Sequence, residues 1–156
     1  MKKFLYFWED FEINKEVNLG TYEFTEDEII KFGKKFDPQY FHVDHKLSKA
    51  SEYKGIIASG WHTCSAIMKL MCDKFLNNTN TLGSPGIINL SWFQPVRPGD
   101  KITGYWEITE KRESKSKPRI GIMKLKIFGI NQNGETVINM EPTIFVYKKN
   151  IDQIKS

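Results

Sequence analysis

The stretch that decides the fold is Ser59-Gly60-Trp61-His62-Thr63-Cys64-Ser65-Ala66-Ile67-Met68-Lys69-Leu70-Met71-Cys72-Asp73-Lys74-Phe75. Its apolar residues leave little polar surface at helical spacing, which predicts a helix that is buried on most of its sides. Ser59 is suited to cap the start of this helix. Such a helix needs other elements to cover it, so the rest of the chain must supply a cover.

Segments with strand-like alternation follow this helix. The predicted strands are residues 87–96, 101–111, 119–130 and 136–147, and they are separated by turn signals such as Asn131-Gln132-Asn133-Gly134. Residues 77–85 are rich in Asn, Thr, Gly, Ser and Pro and predict a loop. One buried helix followed by a meander indicates an α+β fold in which a curved antiparallel sheet wraps around the helix.

The first part of the chain predicts one strand and two shorter helices. Residues 16–24 alternate loosely and indicate a strand. Thr25 and Glu28 form a capping-box pattern, which predicts a helix from there to about residue 36. A further short helix is expected near residues 47–52.

Length and composition indicate a single domain of residues 1–156 with one core. The chain is 13% aromatic, which provides a sizeable core, and we expect only the tail from about residue 148 to be flexible. The net charge is +4, with Lys and Arg scattered among acidic residues. This pattern argues against nucleic acid as a partner.

The N-terminal segment and the two cysteines bear on localisation. The apolar run at the N-terminus is ended by Glu9 and Asp10, so we expect neither an export signal nor a membrane span. Cys64 and Cys72 lie on one predicted helix and are too far apart to form a disulfide. These features favour the reducing cytoplasm.

The motif that carries chemistry is Asp37-Pro38-Gln39-Tyr40-Phe41-His42, followed by Gly60 at the start of the buried helix. Pro38 favours a bend after Asp37, and the bend lets the carboxylate and the imidazole converge on one water molecule. The N–H of Gly60, at the positive end of the helix, is suited to bind an oxyanion. The pattern predicts addition of water to a polarised double bond. The alternative is that Asp37 ends a helix in a turn and His42 is a partly buried, hydrogen-bonded aromatic residue.

Three stretches together resemble the MaoC-like enoyl-CoA hydratases and acyl dehydratases of the hot-dog fold. They are Phe36-Asp37-Pro38-Gln39-Tyr40-Phe41-His42-Val43-Asp44, Gly55-Ile56-Ile57-Ala58-Ser59-Gly60-Trp61-His62-Thr63 and Phe93-Gln94-Pro95-Val96-Arg97-Pro98-Gly99-Asp100. The resemblance covers about residues 6–147. It implies a homodimer and an acyl-CoA thioester substrate whose pantetheine arm enters near the subunit interface, with no cofactor beyond the coenzyme A of the substrate.

The resemblance also implies a reaction and its residues. Water adds syn to a trans-2-enoyl thioester to give an (R)-3-hydroxyacyl thioester, or the reverse dehydration occurs. Asp37 and His42 match the catalytic pair of the family, and Gly60 matches its oxyanion-binding amide. The chain departs from the common motif, because Pro38 directly follows Asp37 and Gln39 stands where the family has Asn.

The expected roles follow from what hydration needs. His42 is the base that activates water for attack at C3, while Asp37 orients the water and delivers a proton to C2, and the two roles can be exchanged. The candidate substrate-binding residues are Ser59, Trp61, Gln39 and Phe41, although Ser59 is also suited to cap the helix.

Other polar residues are expected to be structural. We expect His62 in the core or an interface and Cys64 in packing. We expect no metal site at His45, Asp44, His42 and Asp37, because these four do not have the spacing of a known ligand set. The charged segment 111–119 is either a solvated turn or a binding site for coenzyme A phosphates. Two rival functions of the same fold remain: an acyl-CoA thioesterase and a non-catalytic acyl-CoA binding protein.

Overall fold

The computed structural model describes residues 3–149, which form one antiparallel sheet and several helices. The helices are α1 (Glu26–Phe36), α2 (Tyr40–Val43), α3 (His45–Ala50) and α4 (Gly60–Lys74), with short 3-10 turns at Trp8–Asp10 and Leu76–Asn78. The strands are β1 (Val17–Glu23), β2 (Thr81–Trp92), β3 (Lys101–Glu113), β4 (Ile120–Ile130) and β5 (Thr136–Tyr147). Their order in the sheet is β1-β3-β4-β5-β2, which leaves β1 and β2 at the edges.

Helix α4 and one face of this sheet form the core. Ile67 and Met71 of α4 are fully buried among apolar residues of the strands, such as Ile102, Ile127 and Ile138. The α+β hot-dog arrangement expected from the sequence, with an antiparallel sheet packed on one central apolar helix, is confirmed. Within residues 3–149, none of the helices combines the length and the apolar character needed to cross a bilayer.

A row of three glycines brings the sheet close to α4. Gly20, Gly104 and Gly129 are paired neighbours on β1, β3 and β4. A Cβ atom at Gly104 would lie 3.2 Å from Leu70 Cδ1, and one at Gly129 would lie 3.3 Å from Ile67 Cδ1. Because these positions carry no side chain, the helix packs directly on the backbone of the sheet at this level.

The predicted elements before α4 are confirmed with small shifts. The strand predicted at 16–24 is β1, and the Thr25 hydroxyl accepts from the Glu28 N–H at 3.3 Å at the start of α1. The short helix predicted near 47–52 is α3, which begins earlier because the Asp44 carboxylate caps it. The last three predicted strands are confirmed as β3, β4 and β5.

The prediction around β2 was partly wrong. The loop predicted at 77–85 is already strand from Thr81, and the strand predicted at 87–96 ends at Trp92. Pro85 suggested a loop because it lacks an N–H, but β2 is an edge strand, where a missing donor is tolerated.

The start of the predicted flexible tail is tied to the rest of the protein. Lys148 N donates to Arg119 O at 2.9 Å, and Lys149 N donates to Glu9 Oε2 at 2.9 Å. These bonds hold the backbone at the first two residues of the predicted tail. Its remainder, residues 150–156, lies outside the described residues, and the flexibility of the tail stays a prediction.

Candidate active site

The three stretches that carry the resemblance meet around one cavity of about 410 Å³. Backbone hydrogen bonds join them: Ala58 N donates to Val96 O at 2.8 Å, and Ile57 N donates to Phe41 O at 3.1 Å. Of the residues predicted from the sequence, the cavity wall contains Asp37, Gln39, Phe41, His42, Gly60 and Trp61. Ser59 is buried beneath this wall.

The bend after α1 brings Asp37 and His42 together. Asp37 N donates to Gly33 O at 2.9 Å as the last bond of α1, and Pro38 then turns the chain away from the helix. Helix α2 folds back so closely that a Cβ atom at Gly33 would lie 3.0 Å from His42 Cβ. The short α2 therefore presents the imidazole to the carboxylate that precedes it.

The His42 ring is fixed by the backbone. The ring is buried, with 4% of the residue exposed, and its Nδ1 lies 2.7 Å from Ile57 O. A carbonyl oxygen only accepts hydrogen bonds, so we infer that Nδ1 carries a proton. The other nitrogen, Nε2, lies 3.3 Å from Asp37 Oδ2.

The Asp37 carboxylate is held by two further donors. Ser59 Oγ donates to Asp37 Oδ2 at 2.7 Å, and Gln39 Nε2 donates to Asp37 Oδ1 at 2.8 Å. The Ser59 hydrogen bond is the largest of the effects on the pKa of Asp37; partial burial opposes it, and Gln39 and His42 reinforce it, so that this pKa is lowered. Asp37 is therefore ionised at neutral pH.

These contacts of Ser59 and Gln39 were not predicted from the sequence. Both residues were expected to contact substrate, and that expectation stays a prediction, but both donate to the catalytic candidate Asp37. The capping role expected of Ser59 is confirmed, since its Oγ accepts from Trp61 N at 3.2 Å. Spacing alone cannot reveal the link, because Asp37 and Ser59 are separated by a loop whose path the sequence does not specify.

The pair offers two acceptors to a single donor molecule. An ionised Asp37 Oδ2 accepts only, and a neutral His42 protonated at Nδ1 also has an acceptor at Nε2. Asp37 Oδ2 and His42 Nε2 are 3.3 Å apart. They are linked directly when Nε2 carries a proton, and they are linked through water when one water molecule donates to both. This arrangement suits the binding and activation of water.

Gly60 lies beside the pair at the first position of α4. Among the described residues, no group accepts a hydrogen bond from the Gly60 N–H. The carbonyl of Gly60 accepts from Trp92 Nε1 at 3.0 Å. A free N–H at the positive end of a helix, on the wall of a cavity, is suited to bind an oxygen that gains negative charge.

His62 and Cys64 lie on α4 but do not fit catalytic roles. His62 is buried, stacks on Phe32 with ring centroids 4.8 Å apart and meets Phe24 edge-on at 5.0 Å. Burial lowers the pKa of His62, and burial raises the pKa of the Cys64 thiol to about 11. A neutral core histidine and a protonated thiol agree with the packing roles predicted for both.

His45 and Asp44 serve other purposes. His45 Nε2 lies 3.6 Å from Glu26 Oε1 at the surface, and Asp44 Oδ1 accepts from Leu47 N at 2.8 Å. In the part of the chain that the structure describes, no three His, Cys, Asp or Glu side chains are grouped so as to hold a metal ion.

The charged segment 111–119 lies far from the cavity within one chain. It contains the last residues of β3 and the turn to β4, whereas the cavity adjoins the loop that precedes β3 at Lys101. The thirteen residues of β3 span roughly 40 Å between these two ends. The segment and the cavity therefore lie toward opposite ends of β3 in one chain.

The stretch 93–100 anchors the outer part of the cavity. Arg97 Nη2 donates to Tyr53 O at 2.7 Å, and Arg97 N donates to Asp100 Oδ2 at 2.7 Å. Tyr53 and Trp92, which also line the cavity, were not among the predicted site residues. Trp92 directly precedes the stretch that carries the resemblance, and no other signal in the sequence marks it.

Comparisons with known proteins bear on the family and the fold of this chain. The family model "MaoC like domain" matches residues 10–126. The crystal structure of the MaoC-like dehydratase from Rhodospirillum rubrum is 29% identical, with a TM-score of 0.85 and coverage of 94% of this chain and 99% of that one. The uncharacterized protein YdeM of Bacillus subtilis is 25% identical over 138 residues, which are 88% of this chain and 96% of YdeM.

A more distant structure shares the fold. The R-hydratase PhaJ1 from Pseudomonas aeruginosa, in its unliganded form, is 19% identical with a TM-score of 0.71. The alignment covers 92% of this chain and 86% of that one.

Proposed function

Because this chain belongs to the MaoC-like domain family, we propose that it hydrates trans-2-enoyl-CoA thioesters to (R)-3-hydroxyacyl-CoA, or catalyses the reverse dehydration. The observation that carries the proposal is the 3.3 Å approach of His42 Nε2 to Asp37 Oδ2 on the wall of an open cavity. Both atoms are available to accept hydrogen bonds from one water molecule. The N–H of Gly60, which has no acceptor within residues 3–149, lies on the same wall.

In the proposed reaction, one water molecule supplies both added groups. His42 Nε2 takes a proton from the water as its oxygen attacks C3, and Asp37 orients the water. The C2–C3 π electrons move toward the thioester, whose oxygen becomes an enolate oxyanion. Since Asp37 is ionised at the start, the proton delivered to C2 is the one that the pair received from the water. The product thus gains one hydroxyl at C3 and one hydrogen at C2.

The N–H of Gly60 has the role of oxyanion donor. The charge on the thioester oxygen is larger in the transition state than in the substrate, so a fixed donor at this point lowers the barrier. One such donor contributes roughly 3 kcal/mol in enzymes where it has been removed. Helix α4 supplies the donor already oriented, because its first-turn N–H groups point outward along the helix axis.

A steady-state assay with crotonyl-CoA tests the proposal. We expect Asp37→Asn and His42→Ala each to lower kcat by at least about a hundredfold, the scale of general acid–base catalysis. Near-wild-type turnover in either variant contradicts the mechanism. His45→Ala is the matched control, since this exposed histidine lies outside the cavity wall and should leave kcat unchanged.

The same assay separates hydration from thioester hydrolysis. Hydration removes the absorbance of the enoyl thioester without releasing a thiol, whereas a thioesterase releases free coenzyme A from saturated acyl-CoA. Binding of acyl-CoA without turnover of any ester would indicate the non-catalytic alternative.

We propose that the active form is a homodimer formed through β2. This strand is at the edge of the sheet, and its residues Ile87 and Ile88 are 48% and 70% exposed. An exposed apolar edge strand is suited to pair with another strand. A two-fold axis across two β2 strands would place the end at Thr81 of one copy near the end at Trp92 of the other. That arrangement would also bring segment 111–119 of the second copy toward the cavity.

A further inference from the structure

The inner side of the cavity is closed. Ile57, Ala58, Thr63 and Val96 line it there, and all of them are buried. The Ala58 N–H donates to Val96 O at 2.8 Å, so the backbone itself seals this side. An acyl chain cannot pass between these residues without breaking the hydrogen bond.

The interior behind this wall offers no gap along the glycine row. The Cδ1 atoms of Ile67 and Leu70 of α4 lie within 3.4 Å of the positions that a Cβ would occupy at Gly104. Helix α4 therefore rests directly on β3 and β4. An acyl chain that entered the core at this level would have to lift the helix from the sheet, against the close packing of the core.

The indole of Trp92, 44% exposed, lies over the start of α4 and lines a second side of the cavity. Its Nε1 donates to Gly60 O at 3.0 Å, and a Cβ atom at Gly60 would lie 2.6 Å from Trp92 Cε2. The Cys64 thiol, one turn further on the same face of α4, lies beside the indole as well. Trp61 meets Trp92 edge-on, with ring centroids 5.7 Å apart and planes at 79°. Trp92 thus covers the face of α4 that carries Gly60 and Cys64.

We infer that this site takes short acyl groups, and that Trp92 is the specificity-determining residue that ends the acyl pocket. The inference rests on the proposed function for the placement of the substrate. With the thioester oxygen at the Gly60 N–H and C3 beside Asp37 and His42, the carbons beyond C3 enter a space bounded by the closed inner wall and Trp92. A chain of the length of a crotonyl group fits there, whereas an octenoyl group meets the indole.

Binding of saturated acyl-CoA esters tests this inference without requiring turnover. We expect the wild-type protein to bind butyryl-CoA at least about tenfold more tightly than octanoyl-CoA in calorimetric titration, the scale at which a closed pocket rejects extra methylenes. Trp92→Ala should remove or reverse this preference. Trp92→Phe keeps a ring at the same place and should retain the preference. Trp92→Ala is the opening variant, because it shortens the side chain that ends the pocket. Trp92→Leu takes its place if Trp92→Ala does not fold.

Met68→Ala is the matched control, because Met68 is an exposed apolar residue one turn beyond Cys64 and does not line the cavity. Its preference for butyryl-CoA should equal that of the wild-type protein. Octanoyl-CoA binding as tight as butyryl-CoA in the wild type overturns the inference, and so does an unchanged preference in the opening variant. Failure of both esters to bind overturns it together with the acyl-CoA part of the proposed function. The short-chain preference combined with no hydration of any enoyl-CoA overturns the proposed function alone.

Discussion

Ser59 Oγ donates a hydrogen bond of 2.7 Å to Asp37 Oδ2, and the same oxygen accepts from the Trp61 N–H at the start of α4. One hydroxyl therefore joins the carboxylate after α1 to the first turn of the helix that carries Gly60. The carboxylate and the proposed oxyanion donor are held in one rigid unit.

Replacing Ser59 should change both stability and pH dependence. Ser59→Ala removes a helix cap, which costs about 1 kcal/mol in the free energy of unfolding. It also removes the largest effect that favours the ionised form of Asp37, so the pKa of Asp37 should rise. We expect the acidic limb of the kcat/KM profile to move to higher pH. Ser59→Thr retains a hydroxyl and should shift the limb less; an unmoved limb in Ser59→Ala contradicts the assigned role.

His62 should make stability depend on pH. Burial lowers its pKa in the folded state, while a histidine in the unfolded chain titrates at about pH 6.5. Above that pH both states are neutral at this residue. Below it the unfolded chain binds the proton first, so the free energy of unfolding should fall as pH drops toward the folded-state pKa, by at most about 1.4 kcal/mol per pH unit.

Urea denaturation between about pH 7 and about pH 5.5 measures this slope. His62→Phe keeps an aromatic ring against Phe32 and should flatten the decline. Replacement of the exposed His45 by Asn is the control and should leave the slope in place. An equal slope in His62→Phe and the wild type would contradict this role of His62.

A charge on β2 should separate the proposed dimer. Ile88 is 70% exposed at the sheet edge, and Ile88→Asp would place a buried, unpaired carboxylate in each strand of a β2 interface. We expect sedimentation velocity to report a monomer for this variant and a dimer for the wild type. Asn18→Asp is the control, since it adds the same charge to the opposite edge strand and retains an acceptor for the Gly20 N–H. A wild-type protein that sediments as a monomer contradicts the dimer.

Lys115 and Lys117 test the contribution of the second copy to substrate binding. If segment 111–119 of one copy meets coenzyme A phosphates in the cavity of the other, the double change of both lysines to Ala should raise KM severalfold at low salt with little change in kcat. The effect should fade with added salt and should be absent in a monomeric Ile88→Asp protein. An unchanged KM at low salt leaves the segment as a solvated turn.

Much of the fold follows from periodicity. The apolar run from Ser59 and the alternating strands after it predict the helix and the sheet, because burial of apolar area dominates the energetics of both. The start of β2 did not follow from the sequence, since Pro85 and its polar neighbours are typical of loops and only the edge position makes a strand tolerable there.

The site followed from the sequence in part. Asp37 and His42 were paired through the bend at Pro38, and the structure places them 3.3 Å apart. The contacts of Ser59 with Asp37 and of Trp92 with Gly60 were not predicted. Loops and strand pairing bring these residues together, and contacts between residues distant in the sequence leave no periodic signal. These contacts depend on tertiary structure alone.

The row of Gly20, Gly104 and Gly129 restricts which substitutions this protein can accept in evolution. A methyl group at Gly129 would stand 2.8 Å from Ile102 Cγ2 and 3.0 Å from Ile138 Cγ2, so even alanine there would push neighbouring strands apart or raise the helix above them. Any such lift would carry the first turn of that helix away from the carboxylate to which it is joined. Mutations that add a single carbon deep in the sheet are thus expected to be selected against for their effect on chemistry at the far end of the helix.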